Sequence, residues 1–119
     1  MGYDGFPKSI SISVNEVVLH GIPDDTVLED GDIVKVDLFM YVRGFHGDTC
    51  RTFECGKVDD DGKRLIRVTK ECLDKAIAVC KSGTHFIEIG KAIFNHAQAN
   101  GFDVYFFSAC DDFVVFEIM

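Results

Sequence analysis

Several common functions have little to work with in this sequence. Basic residues are scarce, with twelve lysines and arginines against twenty acidic residues and a formal charge of −8. That balance repels nucleic-acid phosphates and anionic membrane surfaces, so neither a nucleic-acid nor a membrane partner is expected. There is no apolar run long enough to cross a bilayer and no charged-then-apolar leader, which predicts a soluble chain. Five cysteines, Cys50, Cys55, Cys72, Cys80 and Cys110, form no Cys-x-x-Cys pair, and their odd number leaves at least one thiol without an intramolecular partner. Zinc-ribbon spacing is therefore absent, and a reducing compartment fits best: a cytoplasmic location is expected, or an organellar one if a transit segment is missing. With only two prolines, no repeated tract, 47% hydrophobic and 27% charged residues, disorder is excluded and 119 residues suffice for one globular domain.

What is present begins with strands. Ser9-Ile10-Ser11-Ile12-Ser13-Val14 alternates small polar and β-branched residues, the period of a strand with one buried face. Val17-Val18-Leu19 reads as a second strand ending at His20-Gly21-Ile22-Pro23, and the polar stretch 24–32 as a loop turning at Asp30-Gly31-Asp32. Residues 33–41 and 45–55 form a β-hairpin about Arg43-Gly44. Three aspartates and Gly62 mark an exposed connection over 57–63.

Apolar residues then recur at helical steps. Leu65, Ile66, Thr69, Cys72, Leu73, Ala76, Ile77 and Cys80 predict a helix over 63–81, stopped by Ser82-Gly83. A second helix carries Phe86, Ile89, Ile93, Phe94 and Ala97 on one face, with Thr84 capping its start and Asn100-Gly101 its end. Residues 102–107 return to strand. The order predicts an α+β fold, with a mainly antiparallel sheet and two helices on one side.

Placing Arg43-Gly44 in the turn sets Tyr41 against His46, Phe39 against Asp48 and Asp37 against Cys50. All six then share one face, opposite Val34, Val36, Leu38 and Met40. Asp37 and Asp48 become diagonal neighbours about 7–8 Å apart at the backbone, a span that two carboxylates can bridge with metal ions about 3.5–4 Å apart. Aspartate is depleted in strands and costly to bury without a cation or donors, so Asp37 within Val-Asp-Leu-Phe-Met calls for a cause. A dinuclear metal site is one; a solvated face on which Lys35 pairs Asp37 is the other. His46 fits a third ligand by position, but a lone histidine beside an aromatic is more often packed and hydrogen-bonded, and it is not assigned.

The phrase Gly5-Phe6-Pro7-Lys8-Ser9-Ile10, followed by Ser13-Val14-Asn15-Glu16-Val17-Val18-Leu19-His20-Gly21-Ile22-Pro23, resembles the opening of the type I methionine aminopeptidase catalytic domain. The likeness continues through Leu28-Glu29-Asp30-Gly31-Asp32-Ile33-Val34, Val36-Asp37 and Gly44-Phe45-His46-Gly47-Asp48-Thr49 to Gly101-Phe102. It implies a pita-bread fold, two αβ halves enclosing a dinuclear metal centre, of which residues 1–109 supply the N-terminal half and 110–119 form a divergent tail. It further implies that Asp37 ligates one ion through both oxygens, that Asp48 sits between two ions, and that His20 contacts substrate near the scissile amide. The implied activity is removal of the initiator methionine from a nascent polypeptide N-terminus, with two divalent ions drawn from cobalt, manganese, iron or zinc. Tyr3 and Phe6 fall where the family builds its methionine pocket.

The likeness breaks at Ser108-Ala109-Cys110-Asp111-Asp112, where the family continues into a Gly-His-Gly motif. Asp111 or Asp112 falls near the expected ligand position, and no ligand role is assigned to either. The remaining ligands would lie beyond Met119, so this chain is expected to be truncated and inactive in isolation. The alternative is a non-catalytic pita-bread remnant, acting as a binding module or an inactive product. Phe39, Tyr41 and strand 102–107 are then expected to lack cover and to support self-association, with the tail 113–119 leaving that strand exposed rather than pairing with it.

Overall fold

The structure, a computed structural model, describes residues 5–110 and 113–118. It divides into two compact units, Met1–Asp60 and Asp61–Met119. In the first, β1 (Ser11–Val14), β2 (Ile33–Val42) and β3 (Phe45–Glu54) form an antiparallel sheet in the order β1-β2-β3. Alternation in β1 works as expected, with Ser11 and Ser13 buried and Ile12 and Val14 only partly so. Arg43 (φ 53) and Gly44 (φ 88) both take left-handed backbone, as a two-residue type I′ turn demands. The turn therefore fixes the ladder: Tyr41 opposes His46, Phe39 opposes Asp48 and Asp37 opposes Cys50, the expected register.

Val17-Val18-Leu19 is not a strand, which corrects the expectation. Asn15 turns the chain with φ 49, and the Val17 amide donates to the Val14 carbonyl to close that turn. Both atoms of the Asn15 side-chain amide are used: Nδ2 donates to Asp32 Oδ1, and Oδ1 accepts from the Ile33 amide. The chain is thus drawn across the start of β2 rather than alongside it. The aspartate-rich loop is likewise built on carboxylates that accept backbone amides: Asp24 from Thr26, Asp32 from Glu29 and Asp30 from Lys57.

The second unit contains α1 (Asp60–Val79), α2 (Phe86–Ala99), β4 (Val104–Cys110) and β5 (Phe113–Ile118). Helix α1 begins three residues before its expected start, because Asp60 and Asp61 suit the positive end of the helix dipole better than a connection. Its apolar residues divide into two rows. Val68, Cys72 and Ala76 are buried with Ile93 and Ala97 of α2, whereas Leu73 and Ile77 remain 56% and 60% exposed. Small side chains let the helices approach closely enough for the Cys72 thiol to meet the Ile93 carbonyl at 3.6 Å. Burial, reinforced by the charge of Glu71, pushes that thiol above its ordinary pKa.

On α2 the expected face also divides, since Phe86 is 90% exposed. His85 rather than Thr84 occupies the cap, with no side-chain cap bond. Asn100 and Gly101 (φ 77) end the helix as expected, their amides donating to the Ala97 and Gln98 carbonyls. Beyond it, β4 pairs antiparallel with β5 from Val104↔Ile118 to Cys110↔Phe113. The tail therefore supplies the partner strand that the sequence reading did not favour. Asp111, Asp112 and Tyr3 lie outside the described residues. Among the described residues no helix is long and apolar enough to cross a membrane.

Candidate metal centre

The two carboxylates singled out from sequence sit on neighbouring strands of one stiff hairpin. Asp37 faces Cys50, Asp48 faces Phe39, and the strand period puts all four on one face. Asp37 lies where β2 is flanked on both sides, paired to Ser11 of β1 and Cys50 of β3. Asp48 lies beyond the end of β1 and is exposed. Asp37 titrates above the ordinary carboxylate value, chiefly because burial disfavours its charged form and then because Asp48 repels it. His20, Lys35 and a backbone hydrogen bond from Leu38 act in the opposite direction. Both partner influences require His20 and Asp48 to lie within electrostatic reach of Asp37.

His20 stands on the connection from β1 to β2, exposed and with left-handed backbone (φ 56). The next residue runs against β1: the Ile12 amide donates to the Gly21 carbonyl at 2.9 Å, and the Gly21 amide donates to Ser13 Oγ at 3.1 Å. A Cβ at Gly21 would lie 2.0 Å from the Ile12 carbonyl oxygen, so only glycine allows this approach. Lys35 Nζ donates to the Val18 carbonyl on the other side of His20. Neither Ser13 nor Lys35 was assigned a site role from sequence, although strand parity already placed Lys35 on the Asp37 face.

His46 is packed between two aromatic rings. Its ring centroid lies 5.1 Å from that of Phe39 and 4.7 Å from that of Tyr41. Phe6 is partly buried. The donor chemistry suits a divalent cation, since a cation beside two oxygen-donor carboxylates would relieve the repulsion that raises Asp37. The donor set is nevertheless incomplete: among the described residues no group of three or more His, Cys, Asp and Glu side chains is placed to hold an ion.

Residues 1–111 match metallopeptidase family M24. The chain belongs to that family. Over 104 residues it is 55% identical to methionine aminopeptidase 1B, chloroplastic, of Arabidopsis thaliana, a match covering 87% of this chain and 28% of the relative. It is 50% identical, also over 104 residues, to the mitochondrial methionine aminopeptidase 1D of Homo sapiens, covering 87% of this chain and 31% of that one. Among solved structures it resembles the methionine aminopeptidase of Rickettsia prowazekii, with a TM-score of 0.86 and 42% identity over 89% of this chain and 43% of that chain. The fold is accordingly that of the pita-bread metallopeptidases, and the chain spans about a third of the length of the curated relatives it matches.

Proposed function

We propose that the chain is the carboxylate-bearing N-terminal half, residues 1–109 with a divergent tail, of a methionine aminopeptidase acting on nascent polypeptide N-termini. The observation that carries this reading is the pairing of Asp37 and Asp48 on one hairpin face, with His20 within electrostatic reach, in a chain of family M24. Asp37 and Asp48 would hold divalent ions, which supply polarisation of the scissile carbonyl and a water of lowered pKa when bound. Oxygen and imidazole donors suit cobalt, manganese, iron or zinc, with availability deciding among them.

The chain's own residues have separable tasks. The two carboxylates fix the position of positive charge on the hairpin ladder, and His20 contacts the peptide beside the scissile amide. The relatives named as chloroplastic and mitochondrial favour an organellar over a cytoplasmic compartment. The apolar end of the hairpin, with Tyr41 65% and Phe45 78% exposed, supports self-association. The absence of a three-donor cluster among the described residues favours a second reading for the chain by itself, as a folded but non-catalytic binding module.

A chimera tests the proposal. This chain's matched residues replace the corresponding part of the Rickettsia prowazekii enzyme, and methionine release from a Met-Ala-Ser peptide is measured with added divalent metal. Turnover lost on Asp48→Ala is expected. A soluble, folded, metal-loaded chimera without turnover would contradict the reading.

A further inference from the structure

The connection carrying His20 is anchored more firmly than an exposed loop requires. Three hydrogen bonds bracket that one residue: Lys35 Nζ to the Val18 carbonyl before it, and, after it, the Gly21 amide to Ser13 Oγ and the Ile12 amide to the Gly21 carbonyl. Ser13 and Lys35 are direct cross-strand partners in the β1–β2 ladder. Lys35 also stands two residues before Asp37 and so projects from the same face of β2.

One anchor, Lys35, thus shares β2 with Asp37 and the other, Ser13, faces Lys35 from β1, so that His20 is held relative to Asp37 through the β1–β2 ladder. Left-handed backbone is uncommon outside glycine, although histidine tolerates it better than most side chains, and at His20 (φ 56) the flanking hydrogen bonds hold it in place. Here the enforcing contacts come from both sides. Gly21 cannot retreat or be replaced, because its close approach to the Ile12 carbonyl leaves no room for a Cβ.

We infer that Lys35 and Ser13 are positioning residues, a two-point clamp that holds the His20 imidazole toward the Asp37 and Asp48 face. The inference rests on the reading of that face as the site. Neither clamp residue is assigned a contact with substrate or metal. Each acts through the backbone on one side of His20, so losing either anchor frees the ring while leaving the sheet paired. A conservative replacement that keeps the hydrogen bond keeps the ring in place.

The test is nuclear magnetic resonance on the whole metal-free chain, at one fixed, mildly alkaline pH for every variant. Asp37→Asn removes the neighbouring charge and should shift the His20 ring resonance in the native background. That response should vanish in Lys35→Met and in Ser13→Ala, and survive in Lys35→Arg and Ser13→Thr. Hydrogen-exchange protection of the Ile12 and Gly21 amides should fall about tenfold in the first two variants, with β2–β3 amides unchanged. If His20 still responds to Asp37→Asn in both Lys35→Met and Ser13→Ala, or does not respond even in the native background, the clamp is overturned. Should Lys35→Met not fold, Ser13→Ala and the two conservative variants decide the matter. A separate arm adds Mn²⁺ and follows broadening of the Asp48 amide. Its failure would count against the metal reading while leaving the clamp result intact.

Discussion

Asp48 lies diagonally across the β2–β3 ladder from Asp37, and its charge adds to burial in holding the Asp37 carboxyl above its ordinary value. The folded chain therefore binds that proton more tightly than the unfolded chain. The stabilising contribution is complete below the ordinary value of 3.8 and is lost as pH rises through the folded value, above which the ionised pair costs stability. Asp48→Asn should move the Asp37 titration down toward 3.8, though not fully, since burial is the larger cause. Carbon-detected titration of the carboxyl measures this. An Asp37 that titrates at or below 3.8 in the native metal-free chain would contradict the geometry.

The helix pair gives a contrast in stability. Ile93 is 7% exposed among Val68, Cys72 and Ala97, so Ile93→Ala should cost about 2–5 kcal/mol in urea unfolding. Leu73→Ala, on the exposed row of α1, should change stability by no more than about 0.5 kcal/mol. Equal losses at the two positions would mean that the second row is covered in solution.

Glu71 joins the same helices, accepting from His96 Nε2 at 2.7 Å and from Arg67 at 2.8 Å. The His96 bond, followed by the Arg67 bond, holds the Glu71 carboxyl below its ordinary value of 4.5. Its contribution is therefore present above 4.5 and lost as pH falls through the lower folded value. Glu71→Gln should lower thermal stability at neutral pH and flatten the acid decline below 4.5. An unchanged acid profile would show that the link carries no stability.

These contacts mark where the sequence was legible. Turn chemistry at Arg43-Gly44 and strict strand parity determine every pairing of the hairpin, so the Asp37–Asp48 face could be read in advance. The His20 clamp could not, because it depends on how a connecting loop returns over β1, and no periodicity encodes that path. Val17-Val18-Leu19 misleads for the same reason: its composition is strand-like, but Asn15 and Asp32 spend their side chains holding a turn. Helical periodicity located both helices yet could not say which of two apolar rows on α1 meets α2. The β4–β5 pairing is not legible because Asp111-Asp112 lacks a recognisable tight-turn signal, while the apolar residues flanking it pair regardless.

The end of the hairpin should govern association. Met40 is 52% exposed, Val42 58% and Phe45 78%, an apolar patch at the tip of two long strands. Concentration-dependent oligomers in light scattering and binding of a hydrophobic dye are expected, both reduced by Phe45→Lys. A monomer at high concentration without dye binding would exclude association through this patch.

Asp37 and Asp48 are proposed to attract a divalent ion together. Paramagnetic broadening by Mn²⁺, read residue by residue across the chain, tests it most directly. Broadening should centre on the Asp37 and Asp48 amides and reach His20, be abolished by Asp48→Ala and be weaker than in a complete site, because two carboxylates fill only part of a coordination shell. Broadening centred instead on the Asp59-Asp60-Asp61 run, or broadening at Asp37 that persists in Asp48→Ala, would contradict it.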